Sequence, residues 1–503
     1  MQALHQEAVG CVSASGMREI EAGAMASGIG ESALMGNAGT RLGHAIARFF
    51  TRPGTAVAWP GKGHNGGDAL IALRVLRDDH GWRIRIRHVF PETALAPLTR
   101  NQLAPHRETP DFDCGDPALR HPLILIDGLL GIGADGSSLR GPLADAANEI
   151  NHLRETKGAV VVAVDLPSGI NPDTGAFPSN SVRADVTFTL GAVKSGLIQP
   201  AAANVVGALS LVSIPELTAG VGCGPALICP QHPHATLFAR PYDFHKGMAG
   251  RVAILAGSES YSGAAVLCAS AALAGGAGLV TLHVPRAIHQ LVAVRCAPEI
   301  IVRPFDSLDE LGRETPDAWV VGCGLGADWG DDLISFIATT SEIPMVIDAD
   351  ALNAIAREGA LGKLGANHLL TPHPGEFRRL APHLPDLAPL DAATAWVRDF
   401  PATLLLKGCR SVIAARGHDP LVNSTGHPGM ATAGQGDVLA GVAGALLAAK
   451  QPLPGAAAMA AWLCGRAAER AVHHGDESAE SLRATSVIQN LGGAFHDWRA
   501  MTR

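Results

Sequence analysis

Aromatic residues make up only 4% of the chain, and two of its 503 residues are tyrosine. A core built from so few large rings must be packed with small residues between helices and sheets, consistent with 58 glycines. Charge is also sparse and weakly acidic: 39 Lys+Arg against 47 Asp+Glu, a net −8. There is no Lys/Arg block, and the two facts together exclude a basic nucleic-acid surface. The nine cysteines are scattered, and the closest pair, Cys223 and Cys229, has neither zinc-like spacing nor a second pair. Reduced thiols in a cytoplasm are therefore expected. Residues 1–16 lack a basic segment followed by an apolar run, so no signal peptide is expected. Residues 262–285 contain no Asp, Glu, Lys or Arg, yet they are broken at Gly275-Gly276 and end in alternating residues 279–284. They read as a buried helix followed by a buried strand, and no membrane partner is expected.

The length calls for two or more domains. Short apolar runs at residues 55–59, 123–127, 159–165 and 185–190 alternate with helical patterns such as 68–77. The same grammar restarts after an aperiodic Pro/Gly/Cys-containing stretch, with runs at 251–257, 279–284, 319–322, 344–348, 369–371 and 403–407. Residues 411–415 and 421–423 read as a short strand pair. This pattern predicts two α/β domains, each with a largely parallel sheet covered by helices and with functional loops after the strands' C-terminal ends. The expected division is 1–222, a linker over 223–241, and 242–503.

Residues 423–441 run through glycines and small side chains into one carboxylate, Asp437, with an apolar helical stretch directly behind. Such a turn exposes backbone N–H groups to anionic oxygens. A carboxylate beside a phosphate cradle makes sense if it takes a proton from a hydroxyl under phosphorylation. It also fits a helix-cap or first-turn residue. Four other segments converge on this loop: His245-Lys246-Gly247, Asp348-Ala349-Asp350, Thr371-Pro372-His373-Pro374-Gly375-Glu376 and Lys407-Gly408-Cys409-Arg410-Ser411. Each has a structural alternative: His373 and Glu376 as caps, Asp348 and Asp350 as turn residues, Lys407 as an exposed strand end.

In the first half, Gly61-Lys62-Gly63-His64-Asn65-Gly66-Gly67-Asp68 follows a strand and opens a helix. Two further strand ends carry Asp127-Gly128-Leu129-Leu130-Gly131-Ile132-Gly133 and Val164-Asp165-Leu166-Pro167-Ser168-Gly169. Asn65, Asp127 and Ser168 offer oxygen ligands suited to a hard cation, which leaves Asp165 free as an acid or base. Lys194 could meet a phosphate or carboxylate; taken alone it reads as a solvated loop lysine.

These first-half loops resemble the NAD(P)H-hydrate epimerase domain, over roughly residues 15–214. The second-half set resembles the ADP/ATP-dependent NAD(P)H-hydrate dehydratase domain of the ribokinase-like superfamily, over about 242–491. Together they resemble the bifunctional NAD(P)H-hydrate repair enzymes. The resemblance implies a Rossmann-like three-layer α/β/α domain followed by a ribokinase-like α/β domain. It implies potassium at Asn65, Asp127 and Ser168. It places His64, Asn65, Gly66, Gly67, Asp68, Gly131, Ile132, Gly133, Ala134, Asp135, Gly136, Ser137, Asp165 and Lys194 against the hydrated nucleotide, with Asp165 catalytic. In the second domain it sets Ala265, Gly324, His373 and the catalytic Asp437 against the hydrate. Lys407, Gly408, Cys409, Arg410, Ser411 and Gly436 would hold ADP or ATP, with Mg2+ as cofactor. A homo-oligomer is implied as well. Only one epimer is consumed downstream, which gives the fusion its sense. Departures from the family pattern are His64 for the first Asn of its loop, Ala69 for Gly, Glu21 for Asp, Gln435 for Ser or Thr, and His427 for Asn. Two other readings fit parts of the chain: a small-molecule kinase of the same superfamily, and a non-catalytic dinucleotide-binding module in the first half.

Overall fold

The computed structural model describes residues 10–50, 52–217, 224–228, 230, 237, 240–384 and 387–501. These divide between Leu227 and Ile228 into two compact units. Cys223, Cys229 and most of the expected linker lie outside the described residues.

The first unit holds strands β1 (Thr55–Pro60), β2 (Arg83–Ile86), β3 (Leu123–Gly128), β4 (Val160–Val164), β5 (Val186–Leu190) and β6 (Ala208–Val212), and then the two-residue β7 (Ala226–Leu227). The main sheet runs β2-β1-β3-β4-β5-β6, with every neighbouring pair parallel. Side chains alternate across it, as strand geometry requires. Ala56, Ala58, Ile124, Ile126, Val162 and Val164 feed one core; Val57, Trp59, Leu123, Leu125, Val161 and Ala163 feed the other. Helices Glu31–Phe49 and His64–His80 contribute to the first core, and helix Pro142–Lys157 to the second. The strand order reverses direction between β1 and β3, which is where an open α/β sheet offers a ligand crevice. The register puts Pro60 opposite Gly128, so the loops after these strands leave the sheet side by side.

The second unit contains β8 (Arg251–Leu255), β9 (Leu279–Pro285), β10 (Ile300–Phe305), β11 (Ala318–Val321), β12 (Met345–Ile347), β13 (His368–Leu370), β14 (Thr403–Leu406), β15 (Val412–Ala414) and β16 (Leu421–Val422). Their order is β10-β9-β8-β11-β12-β13-β14-β15-β16. Pairings are parallel through β14 and antiparallel for β15 and β16. The uncharged stretch forms helix Ser262–Ala274 and then β9, as expected. Among the described residues no helix is long and apolar enough to cross a membrane. Helix Gln435–Ala448 is buried from Val438 onward. Its glycines allow close approach: a Cβ on Gly441 would fall 2.2 Å from the Cys268 carbonyl, and one on Gly444 would fall 2.3 Å from Val320 Cγ2.

The same device packs helices Glu31–Phe49 and His64–His80. A Cβ on Gly39 would sit 2.5 Å from Ile71 Cβ, and one on Gly43 would sit 2.7 Å from Val75 Cβ. Adding a methyl there overpacks a tight crossing, at a cost of about 1–3 kcal/mol. Gly39→Ala and Gly43→Ala are expected to lower the urea midpoint of the chain; an unchanged midpoint would contradict the close crossing.

Candidate functional sites

In the first unit the loops after β1, β3 and β4 are tied together by short polar contacts. A Cβ on Gly61 would lie 1.9 Å from the Leu129 carbonyl, so only glycine lets these two loops touch. Asn65 Nδ2 donates to the Leu130 carbonyl at 2.9 Å, and the Leu130 amide donates to Ser168 Oγ at 2.9 Å. Ser168 Oγ donates to Asp127 Oδ1 at 2.7 Å, its amide donates to Asp127 Oδ2 at 2.8 Å, and the Leu129 amide reaches Asp127 Oδ1 at 3.2 Å. The residues expected to hold potassium are thus neighbours. Asp127 is fully buried, and burial, opposed by those hydrogen bonds, pushes its pKa up to about 6. No ion pair to Asp127 occurs among the described residues, and a small cation would supply the charge that the site lacks.

Asp165 follows β4 with φ +64°, a left-handed conformation that is costly for a residue with a side chain. Three donors hold it there: Lys194 Nζ, the Leu190 amide at 3.0 Å and Thr189 Oγ1 at 3.3 Å. The solvated-loop reading of Lys194 is corrected. Lys194 is only 1% exposed and also donates to the Leu190 carbonyl at 2.9 Å. Its backbone bridges Val12, a residue distant in sequence whose segment was invisible to a local reading.

Asp68 is buried in the same charge cluster as Asp165, Lys194 and Glu21. His64 is more than half exposed and turns toward Glu31, at 3.3 Å. Residues 131–137 remain largely at the surface. Their conformation is held by Ser137 Oγ donating to Asp135 Oδ1 at 2.6 Å and by Asn171 Nδ2 donating to the Asp135 carbonyl at 3.0 Å.

In the second unit Gly434 (φ +90°) caps helix Gln435–Ala448, so Asp437 stands in its first turn. The first-turn placement offered as the structural alternative for Asp437 is the one observed. The amides of Gln435, Gly436 and Asp437 precede the first intrahelical donor, the Val438 amide, which bonds the Gly434 carbonyl at 3.1 Å, so the helix itself offers them no acceptor. Lys407 Nζ bonds Asp348 Oδ1 at 2.8 Å and lies 3.9 Å from Glu376 Oε2. Burial pulls the Lys407 pKa down, but the two carboxylates outweigh it and the net shift is upward. A Cβ on Gly436 would fall 3.3 Å from Lys407 Nζ and 3.5 Å from Asp348 Oδ2, which puts the amide turn beside this ion pair. Burial first, then the neighbouring Asp348, raise Asp437 to about 6, against a hydrogen bond from Cys323 and the charge of Lys407.

His373 and Glu376 do form the helix cap that was the structural alternative. The His373 amide donates to Glu376 Oε2 at 2.7 Å, and His373 Nδ1 accepts from the Gly375 amide at 2.9 Å. Gly324 (φ +61°) packs against Tyr261 and Ala264, whereas Ala265, expected against the hydrate, is fully buried beside Gly257. Residues 408–411 close on themselves, with the Gly408 amide donating to Ser411 Oγ at 3.2 Å; Arg410 is buried and Cys409 exposed.

A family model described as YjeF-related protein N-terminus matches residues 31–196, and one described as NAD(P)H-hydrate dehydratase matches residues 252–490. A bifunctional NAD(P)H-hydrate repair enzyme from Gloeobacter violaceus is 36% identical, over 90% of this chain and 94% of its own. One from Coxiella burnetii is 31% identical, over 94% and 97%. The chain belongs to this family of bifunctional repair enzymes. Among solved structures, the ADP/ATP-dependent NAD(P)H-hydrate dehydratase from Bacillus subtilis is 24% identical, covering 56% of this chain and 100% of that one, with a TM-score of 0.46.

Within this family member, several supporting residues escaped the sequence reading. Arg18 Nη2 donates to the Ile132 carbonyl at 3.2 Å. Behind the glycine loop, Glu469 Oε1 accepts from the Gly426 amide at 2.9 Å while its other oxygen pairs with Arg466 at 3.0 Å, and Arg466 reaches Asp497 at 2.7 Å. The available signal was Arg466 and Glu469 three apart in an otherwise alanine-rich helix.

Removing one partner of a buried ion pair strands the other charge and costs about 3–5 kcal/mol. Lys194→Met should therefore lower the thermal midpoint sharply, while Lys194→Arg should recover part of it. A Lys194→Met chain that melts like the wild type would rule out this role for the pair.

Proposed function

We propose that the first unit interconverts the R and S epimers of hydrated NADH and NADPH, and that the second dehydrates the S epimer with ADP or ATP. The epimerase part is assigned to residues 1–222 and the dehydratase part to 242–503, joined by 223–241. The observation that carries the reading is Asp437 in the helix's first turn, next to Gly436, which lies against the Lys407–Asp348 pair. Hydroxide is a poor leaving group and phosphate a far better one. Phosphorylating the hydrate's hydroxyl and then eliminating phosphate with a ring proton restores the double bond.

Asp437 takes the hydroxyl proton as the O–P bond forms. Its raised pKa makes it a better base than an exposed aspartate while leaving it ionised at neutral pH. The amides of residues 435–437 and Lys407 stabilise the transferred phosphoryl group, in place without reorganisation. His373 and Gly324 line the hydrate, and Lys407, Gly408, Cys409, Arg410, Ser411 and Gly436 the nucleotide. Ala265 underlies the hydrate's side of the cleft.

In the first unit, Asn65, Asp127 and Ser168 fit potassium, whose charge would fix the Leu129–Leu130 turn. His64 to Asp68, residues 131–137, Asp165 and Lys194 form the hydrate site. Among the described residues no cluster of three His, Cys, Asp or Glu could hold a metal. Mg2+ would be held by the nucleotide's phosphates, as is usual for this ion. The enzyme is assigned to the cytoplasm as a homo-oligomer, with no nucleic-acid or membrane partner.

Asp437→Asn is expected to retain nucleotide binding and to lose about 10²–10⁴-fold in dehydration rate, followed by recovery of reduced-nicotinamide absorbance. In the wild type, turnover should fall as pH drops through about 6, where Asp437 takes up a proton. Near-normal turnover in the variant would remove Asp437 as the base. A stable phosphate ester in place of free phosphate would indicate the kinase reading.

A further inference from the structure

Asp68 ends the glycine loop, directly after Gly66-Gly67 in the helix His64–His80, and is only 8% exposed. Its Oδ1 is enclosed and has no hydrogen-bond partner among the described residues. The charged groups around it come from three other segments: Glu21 from helix Ala14–Ala26, Asp165 after β4 and Lys194 after β5. His64 and Arg18 act on Glu21 in turn. Asp165 is anchored differently, because its hydrogen bonds from Lys194, Leu190 and Thr189 all fall on Oδ1. Its Oδ2 accepts none from the described residues and is left for a ligand.

We infer that Asp68 is the general acid of the epimerisation and that Asp165, in the same charge cluster, is the base. This rests on the epimerase reading of the first unit. Burial first, and then the carboxylates of Asp165 and Glu21, push Asp68 well above the ordinary carboxylate range, against the pull of Lys194. Two neighbouring carboxyl groups whose environments differ in this way divide naturally into a proton donor and a proton acceptor.

The chemistry of the substrate needs both. Hydrated nicotinamide carries its hydroxyl on the carbon bonded to the ring nitrogen, so it is a carbinolamine. Asp68 gives its proton to that oxygen, the C–O bond breaks and water leaves. The nitrogen lone pair forms a C=N⁺ bond. Water then adds from the opposite face, a new C–O bond forms, and the released proton passes to Asp165 Oδ2. No electrons are gained or lost. The enzyme is left with its proton on Asp165, which is the form required to run the same path backward on the other epimer. Proton exchange with solvent restores the starting form.

The test uses the full chain with a chromatographically resolved mixture of NADH-hydrate epimers. Asp68→Asn is expected to slow epimer exchange by about 10²–10⁴-fold at saturating hydrate. The wild-type rate should decline as pH rises through the deprotonation of Asp68, a limb absent from the variant. In ¹⁸O-labelled water, label should enter the hydroxyl as fast as the epimers exchange. Dehydration by the second unit and the thermal midpoint report on folding of the variant. If the variant does not fold, the wild-type pH limb and the label carry the test. Wild-type rates of epimer exchange in D68N, or exchange without label, would overturn the assignment of Asp68. Absence of exchange in the wild type would instead overturn the epimerase reading itself.

Discussion

A lysine ammonium bonded to a buried aspartate, the lysine itself buried in the first unit and partly buried in the second, joins the loops of each candidate site. In the first unit Lys194, after β5, grips Asp165, after β4. In the second, Lys407, after β14, grips Asp348, after β12. Each pair joins loops from different strands at the carboxyl edge of a parallel sheet, where no backbone ladder can link them. Ions taken out of water this far are tolerable only when paired and further hydrogen-bonded. The surrounding donors are therefore as much a part of each arrangement as the two charges. The left-handed backbone at Asp165 persists because three donors converge on its side chain.

Beside each pair stands a further carboxyl group with a raised pKa, and the two differ in how far burial goes. Asp437 is partly open, lies in a helix first turn near Lys407, and is raised to about 6. It remains a carboxylate at neutral pH and can accept a proton. Asp68 is enclosed next to Asp165 and Glu21, and burial and those carboxylates push it well above the ordinary carboxylate range. It is suited to keep its proton and to give it up. The same residue type thus holds its proton to different degrees at the two sites, and the difference lies in solvent and neighbours.

Much of this was legible locally. Strands buried on both faces appear as apolar runs, and the loops that follow them are marked by glycines that neighbouring backbone would otherwise strike, Gly61 against Leu129 being the clearest. The strands that escaped notice in the main sheets, β2, β6 and β10, all lie at sheet edges. There one face stays wet and polar residues interrupt the run, as in Arg83-Ile84-Arg85-Ile86. Lys194 was misread for a related reason: its burial depends on the segment around Val12, which lies far away along the chain.

By itself the sequence determined the two-part α/β plan and the glycine-marked loops that follow its strands, because periodicity and glycine placement are local properties. Tertiary structure decided which charges are buried together. Whether a lysine is solvated or paired, and whether an aspartate keeps or loses its proton, depends on low dielectric and on partners that only folding brings within a few ångströms.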